Sequence, residues 1–370
     1  MYGGLVLDKW KCVVATGAKL TRHREVPKYA EGLYELGHGL YAWMVPNGSW
    51  GESNCGLIVG DGEALLVDTQ WDVPCTQAVL DAAAQVLDSA RITHVVNTHA
   101  DGDHCWGNQL LPSAQTISSQ ATFDEMLELH PRSMIQLGLA ARTLSRVPVF
   151  KADRVGRWFR GMLASYRFRG VKRSRARYRF YGQMDLTVGG RQIELIELGP
   201  AHTSGDLIVY VPDARAVFTG DLLFVDCTPV MWAGPLENWL AALDRILGMD
   251  VDVIVPGHGP IADKAGIRLL KGYFEFVDSE ARRRYDAGVS ADRAAREIAL
   301  SKDFAESPYA AWDSPERLLV NVHTLYRQYA GRKGHLGKLA ILNVMRKQAL
   351  LAQLLPDATP TFMRRPKEGK

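Results

Sequence analysis

The sequence has no long hydrophobic run and no cysteine pattern of a disulfide framework. None of its apolar runs approaches the ~20 residues that a membrane-spanning helix needs, so no membrane association is expected. The five cysteines have no paired spacing, which favours reduced thiols. Residues 1–18 lack the compact apolar core of a secretory signal. Together these absences favour a cytoplasmic globular protein.

Net charge is also low, and no internal repeat of solenoid length is present. A formal charge of +3 on 370 residues does not predict that the molecule as a whole binds polyanions. The length suffices for a sizeable core and one or two domains.

Residues 98–104 read Thr-His-Ala-Asp-Gly-Asp-His and follow a β-rich apolar segment, residues 92–97. This stretch contains four potential metal ligands, His99, Asp101, Asp103 and His104. In an extended loop the first three point the same way and His104 points elsewhere, so one loop can serve two adjacent metal positions. The competing interpretation is a solvated loop whose Asp and Gly residues only form turns.

Three further strand-like segments end in potential ligands. Residues 192–198 lead to His202, residues 214–219 lead to Asp221, and residues 251–255 lead to His258. Sites in α/β architectures gather where strand ends converge. The four segments together therefore favour a metal site over a solvated loop.

This pattern resembles the metallo-β-lactamase superfamily, whose first motif is usually His-x-His-x-Asp-His, followed by a His, a metal-bridging Asp and a last His. The resemblance covers residues 33–262 and implies an α/β fold, a four-layer αββα sandwich. It implies a first metal position at His99, Asp101 and His202, a second at Asp103, His104 and His258, and a bridge at Asp221. Asp101 is the departure, because the family usually has its second His there.

The resemblance implies two divalent metal ions, zinc first, with iron or manganese as alternatives. The carboxylate of Asp101 makes the site more negative and favours iron or manganese over zinc more than an imidazole would. If Asp101 does not bind, only one metal position is filled. Asp68 and Asp206 are candidate acceptors that orient the histidine ligands.

The implied function is metal-dependent hydrolysis, in which metal-bound hydroxide, oriented by Asp103, attacks an activated carbonyl. A thioester or related ester is expected, as in the glyoxalase II branch, because an Asp occupies position 221 where zinc β-lactamases typically carry Cys. The substrate is expected to be a small molecule, anionic or linked to coenzyme A or an acyl carrier protein. The alternatives are a mononuclear iron oxygenase or lyase, a lactonase or β-lactamase, and a nucleic-acid-binding module.

Residues 121–183 form a predicted basic helical insertion, a possible lid over the pocket. Its segment 151–180 has eleven Lys and Arg residues, interleaved with aromatics, against one acid. Such a segment is typical of a solvated basic face, of a site for an anionic substrate or carrier, or of a nucleic-acid surface, the last being least favoured. Candidate substrate residues are Arg173, Arg175 and Arg177, together with Trp71, which could equally belong to the core.

The remaining chain divides by composition. Residues 1–32 are a loosely attached leader segment, and residues 33–263 are the catalytic domain. Residues 264–355 are predicted to form a helical C-terminal region. Residues 356–370, rich in Pro, Thr and basic residues, are predicted to be a disordered tail.

Overall fold

The computed structural model describes residues 9–332 and 336–358. Residues 1–8 of the predicted leader and 359–370 of the predicted tail lie outside the described residues. Within the described ranges, no helix is long and apolar enough to span a membrane.

The first sheet has eight strands in sequential order. These are β1 (Lys11–Ala15), β2 (Gly32–Gly37), β3 (Leu40–Met44), β4 (Cys55–Val59), β5 (Glu63–Val67), β6 (Arg91–Val96), β7 (Gln115–Ser119) and β8 (Tyr178–Phe180). Strands β1 to β5 are antiparallel neighbours, whereas β5 to β8 run parallel. Helix α1 (Val73–Ala83) makes the crossover between β5 and β6.

The second sheet has five strands in the order β13-β12-β11-β10-β9. They are β9 (Gln183–Val188), β10 (Arg191–Glu197), β11 (Leu207–Val211), β12 (Ala216–Phe218) and β13 (Val253–Val255). Helix α6 (Leu236–Gly248) connects β12 to β13, which pair in parallel.

Apolar residues of both sheets share one core, exemplified by Ile58 and Val67 from the first sheet and Leu195 and Val209 from the second. The opposite face of the first sheet packs on α1. The opposite face of the second sheet packs on α6 and on the C-terminal helices. The expected four-layer αββα sandwich is therefore confirmed, with helices packed on the outer face of each sheet.

The C-terminal region is helical, as predicted. Its helices are α7 (Lys264–Asp286), α8 (Ala291–Ala299), α9 (Lys302–Glu306), α10 (Leu318–Tyr329) and α11 (Lys338–Ala352). Helix α10 is tied to the loop after β12, because Asn321 accepts from Met231 N (2.9 Å) and donates to Pro229 O (3.0 Å).

The insertion contains helices α3 (Gln120–Glu125), α4 (Pro131–Leu144) and α5 (Ala152–Leu163). The helical prediction is wrong beyond Leu163, where the chain becomes irregular and then forms the edge strand β8. The description of the leader as loosely attached is also wrong for residues 11–15, because β1 pairs with β2. The division of the chain into domains stays a prediction.

Candidate metal centre

Five loops at the ends of strands converge between the two sheets. Asp68 follows β5, His99 follows β6, and a short helix α2 (Gly102–Cys105) carries Asp103 and His104. In the second sheet, Asp221 follows β12 and His258 follows β13. His202 lies in the turn between β10 and β11. Since β5 and β6 are parallel, as are β12 and β13, their carboxyl ends meet at one edge of the sandwich.

Asp221 lies at the centre of this cluster. Its carboxylate oxygens lie 3.2 Å from His104 Nε2, 3.3 Å from His202 Nε2, 3.4 Å from His258 Nε2 and 3.8 Å from His99 Nε2. Four imidazole nitrogens from both sheets therefore face one carboxylate. The structure thus brings together all the residues of the two predicted metal positions around Asp221.

Two groups of three side chains have donor atoms within 4.8 Å of one another, and they coincide with the predicted positions. The first is His99, Asp101 and His202, in which Asp101 Oδ2 lies 3.2 Å from His202 Nε2. The second is Asp103, His104 and His258, in which Asp103 Oδ2 lies 3.6 Å from His258 Nε2. Nitrogen and carboxylate oxygen donors of this kind suit zinc, iron or manganese.

The outer nitrogen of each imidazole contacts an oxygen atom, which leaves Nε2 facing inward. His104 Nδ1 lies 2.9 Å from Asp68 Oδ2, and His99 Nδ1 lies 3.0 Å from Thr98 Oγ1. His202 Nδ1 lies 2.6 Å from Val230 O, and His258 Nδ1 lies 3.0 Å from Glu52 O. Such partners fix the ring orientation of metal-binding histidines.

Several inward-facing atoms have no hydrogen-bond partner within the described residues. They are His99 Nε2, His104 Nε2 and Asp221 Oδ1, all of them buried. Buried polar atoms in proteins are normally paired, because an unpaired one costs free energy. A metal ion would satisfy these atoms, so the residues fit the cofactor that the donor set implies.

A third set, Asp68, His99 and His104, also has donor atoms within 4.8 Å of one another. However, Asp68 accepts bonds from Thr98 N (2.7 Å) and Thr98 Oγ1 (2.6 Å) and contacts His104 Nδ1. These contacts occupy its oxygens on the outer side of the imidazoles. We therefore favour an orienting role for Asp68 over a metal-binding one.

Asp206 does not contact any of the four histidines. Its carboxylate accepts from Thr203 N (2.9 Å) and Thr203 Oγ1 (2.6 Å) and thereby fixes the turn that carries His202. Burial raises the pKa of Asp206 to about 7 against the opposing effects of His202 and Thr203. The oxygen atom that contacts His202 Nδ1 is Val230 O and not a carboxylate oxygen of Asp206, so the orienting role of Asp206 stays a prediction.

The concentration of acids keeps imidazoles charged in the metal-free site. Burial opposes the charge of His202, but Asp221 and Asp101 raise its pKa to about 9. Burial likewise opposes the charge of His104, and Asp221, Asp103 and Asp68 still raise its pKa well above the usual range. Burial and the neighbouring His104 lower the pKa of His99. Metal binding must therefore displace protons from this site.

The site opens to solvent on one side. The side chain of Asp101 is 39% exposed and that of Asp103 is 16% exposed, whereas Asp221 is only 4% exposed. Asp101 and Asp103 therefore lie on the solvent-facing side of the centre.

Trp71 belongs to an aromatic cluster beside the metal loop rather than to an open pocket, since it is only 7% exposed. Its ring is edge-on to Tyr166 at 4.8 Å and to Phe168 at 5.1 Å. Phe168 also contacts Trp106, two residues after His104. The insertion is therefore packed against the metal loop through aromatic rings.

The candidate substrate arginines have partners of their own. Arg173 Nη1 donates to Leu127 O, and Arg177 Nη2 donates to Pro112 O at 2.5 Å. The guanidinium of Arg175 lies 4.8 Å from the centre of the Phe123 ring. Their role in binding substrate stays a prediction.

Gly257 is a site residue that sequence reasoning missed. A Cβ atom at this position would lie 2.0 Å from Asp221 Oδ1, so only glycine leaves room for the central carboxylate. The feature of the sequence that could have identified Gly257 as a site residue is its position directly before His258. The carbonyls of Val230 and Glu52 were also missed, because a backbone acceptor leaves no trace in residue type.

The profile of the Metallo-beta-lactamase superfamily matches residues 48–258. Fold, topology and site agree with that match, and the chain belongs to the metallo-β-lactamase superfamily. As a member of this superfamily of metal-dependent hydrolases, it presents candidate ligands for divalent metal ions.

Individual relatives are distant. The alpha subunit of 2,4-dinitroanisole O-demethylase from Nocardioides sp. is 26% identical over 161 residues, which cover 40% of this chain and 47% of that one. Hydroxyacylglutathione hydrolase from Brucella anthropi is 28% identical over 129 residues, which cover 35% and 49%. The solved sec-alkylsulfatase Pisa1 from Pseudomonas sp. has a TM-score of 0.58 at 17% identity, covering 84% and 51%. The chain therefore spans about half the length of these proteins.

Proposed function

We propose that this protein is a metal-dependent hydrolase of an activated acyl compound, a thioester or a related ester. The observation that carries the proposal is the convergence of four imidazole Nε2 atoms on Asp221 in a buried site with unpartnered donor atoms. In the proposal, His99, Asp101 and His202 would hold one divalent ion, and Asp103, His104 and His258 would hold another, with the Asp221 carboxylate available to either.

Divalent ions held there would lower the pKa of water and polarise a carbonyl oxygen. The chain's own residues do the rest. Asp68, Thr98, Val230 and Glu52 keep the four imidazoles aimed inward through their outer nitrogens. Asp103, at the open side, accepts a hydrogen bond from the attacking water on its carboxylate and so orients it.

The acyl substrate class is supported by the similarity to hydroxyacylglutathione hydrolase and by an aspartate at position 221. An alkyl aryl ether is a second candidate substrate. It is favoured by the similarity to the alpha subunit of 2,4-dinitroanisole O-demethylase.

The test combines metal analysis with a substrate panel. Protein stripped by a chelator should be inactive and should regain activity with zinc, iron or manganese. We expect turnover of thioesters or aryl esters above that of lactones, β-lactams and aryl ethers. Preferential cleavage of aryl ethers would select the second candidate, and full activity of stripped protein would contradict both.

A matched pair of histidine variants controls for folding. His202→Ala should lose metal and activity. His323→Ala should retain both, because His323 is a partly buried histidine on α10 that pairs with Asp292 at 2.7 Å outside the centre. Equal losses in the two variants would point to misfolding and not to a metal site.

A further inference from the structure

A cleft of about 490 Å³ lies outside the metal centre, between the start of α1, the turn after α2 and the segment that follows α5. Its apolar wall comes from Val73, Pro74 and Leu110, and its positive charge comes from Arg167, Arg169 and Lys172. This size falls in the range of about 300–1,000 Å³ that is usual for small-molecule sites.

The segment that supplies the cations alternates in burial. Tyr166 and Phe168 are buried, whereas Arg167 and Arg169 are exposed. Along residues 166–169 the aromatic rings therefore lie inside the protein and the two arginines lie at its surface. Phe168 packs on Trp71 and Trp106, and this contact anchors both arginines.

The backbone on both sides of the anchor is bound to the core. Arg167 N donates to Asp72 Oδ2 at 2.7 Å, and Lys172 N donates to Gln109 Oε1 at 2.8 Å. The acceptor Asp72 is buried and also accepts from Cys75 N. The backbone that carries the three cationic side chains is therefore held in place relative to the apolar wall, whereas the side chains themselves reach solvent.

These three cations have no carboxylate partner. Among the residues that the structure describes, no acid lies within 4.0 Å of the side-chain nitrogens of Arg167, Arg169 or Lys172. Neighbouring basic residues differ, since Arg173 and Arg177 donate to backbone carbonyls. The cleft thus brings three cationic side chains together with no acid among its lining residues.

We propose that this cleft binds a small phosphorylated organic anion. A guanidinium group can donate two parallel hydrogen bonds to the oxygens of one phosphate, and the lysine ammonium group adds a further positive charge. The apolar wall of Val73, Pro74 and Leu110 suits the organic part of such a ligand.

The test measures binding without turnover, so its failure is distinguishable from failure of the proposed hydrolase function. Adenosine 3′,5′-bisphosphate is titrated into full-length protein by calorimetry, with and without metal. We expect saturable binding that weakens as salt is added. The combined variant Arg167→Gln, Arg169→Gln, Lys172→Gln should bind at least about tenfold more weakly, because it loses charge-assisted hydrogen bonds.

A control variant removes the same charge from the same insertion. Arg142→Gln, Arg146→Gln, Arg160→Gln changes three exposed arginines outside the cleft and should leave the affinity unchanged. Equal weakening in both triple variants, no saturable binding, or tighter binding of an oligonucleotide than of the bisphosphate would overturn the proposal. The single variant Lys172→Gln changes an exposed residue and should weaken bisphosphate binding by less than the triple variant does. It tests the proposal even if the triple variant folds poorly.

Discussion

Asp68 and His104 are joined through Oδ2 and Nδ1 at 2.9 Å, across 36 positions of the sequence. The same carboxylate accepts from Thr98 Oγ1, which in turn lies 3.0 Å from His99 Nδ1. We propose that this one acid at the end of β5 orients two histidines, His104 directly and His99 through a hydroxyl group. Both proposed metal positions would then depend on an acid that lies behind the imidazoles.

Asp68→Asn should lower metal affinity by about 10–100-fold, the usual effect of losing an orienting acid. Asn is the suitable replacement, because position 68 has φ +62° and Asn tolerates the left-handed region. Competition with a chromophoric chelator measures the change. Asp81→Asn, an exposed carboxylate on α1, is the control. An unchanged metal affinity in Asp68→Asn would refute the orienting role.

Gly257→Ala should displace Asp221 without removing any proposed ligand. The new Cβ would lie 2.0 Å from Asp221 Oδ1 and 2.7 Å from Gly220 C, so the central carboxylate must move. We expect the metal affinity to fall at least ~10–100-fold, as it does when an orienting residue is lost. Elemental analysis after dialysis should then find less bound metal than in the wild type. Gly138→Ala, where an added Cβ meets nothing within 4 Å, should keep the metal. Normal metal content in Gly257→Ala would show that Asp221 is not needed at its observed position.

Sequence alone predicted the fold, and the structure brings the predicted metal-binding residues together in one place. The reason is that a metal site of this type needs residue types that are rare together: His99 and His104 in one loop, and His202 and His258 after buried strands. The apolar runs predict where the strands end, and parallel pairing places the carboxyl ends of neighbouring strands at the same edge of a sheet.

The parts that could not be predicted depend on backbone geometry. The outer partners of His202 and His258 are the carbonyls of Val230 and Glu52, which any residue could supply. The basic segment illustrates a second limit. Its composition did not separate Arg173 and Arg177, which bond to carbonyls, from Arg167 and Arg169, which face the cleft. That distinction arises from the two-residue alternation around Phe168, once the helix α5 has ended.

Metal uptake should release protons and should strengthen as pH rises. The pKa of His202 is raised to about 9, and that of His104 is also raised, so both imidazoles carry a proton in the metal-free protein at neutral pH. Binding must remove these protons, one from His202 and one from His104, so metal affinity increases as pH rises from neutral toward about 9. Calorimetry in buffers of different ionisation enthalpy counts the protons. An affinity that is flat over this range would contradict the charged-imidazole description.

Asp101 is the position that decides how many ions the site holds. Its Oδ2 lies 3.2 Å from His202 Nε2, and its side chain is the most exposed of the proposed ligands at 39%. If Asp101 is a ligand, Asp101→Ala should lower the metal content from about two ions per chain to about one. Asp101→His should restore the content, with preference shifted toward zinc, because an imidazole is a softer donor than a carboxylate.

The matched control for Asp101 is Asp213→Ala, which removes an exposed carboxylate paired with Arg191 at 3.2 Å on the second sheet. It should leave the metal content at the wild-type value. If Asp101→Ala also keeps the full content, the carboxylate lies beside the centre without binding. The first position would then rest on His99 and His202 with Asp221, and the ligand set would carry one negative charge fewer than with Asp101 included.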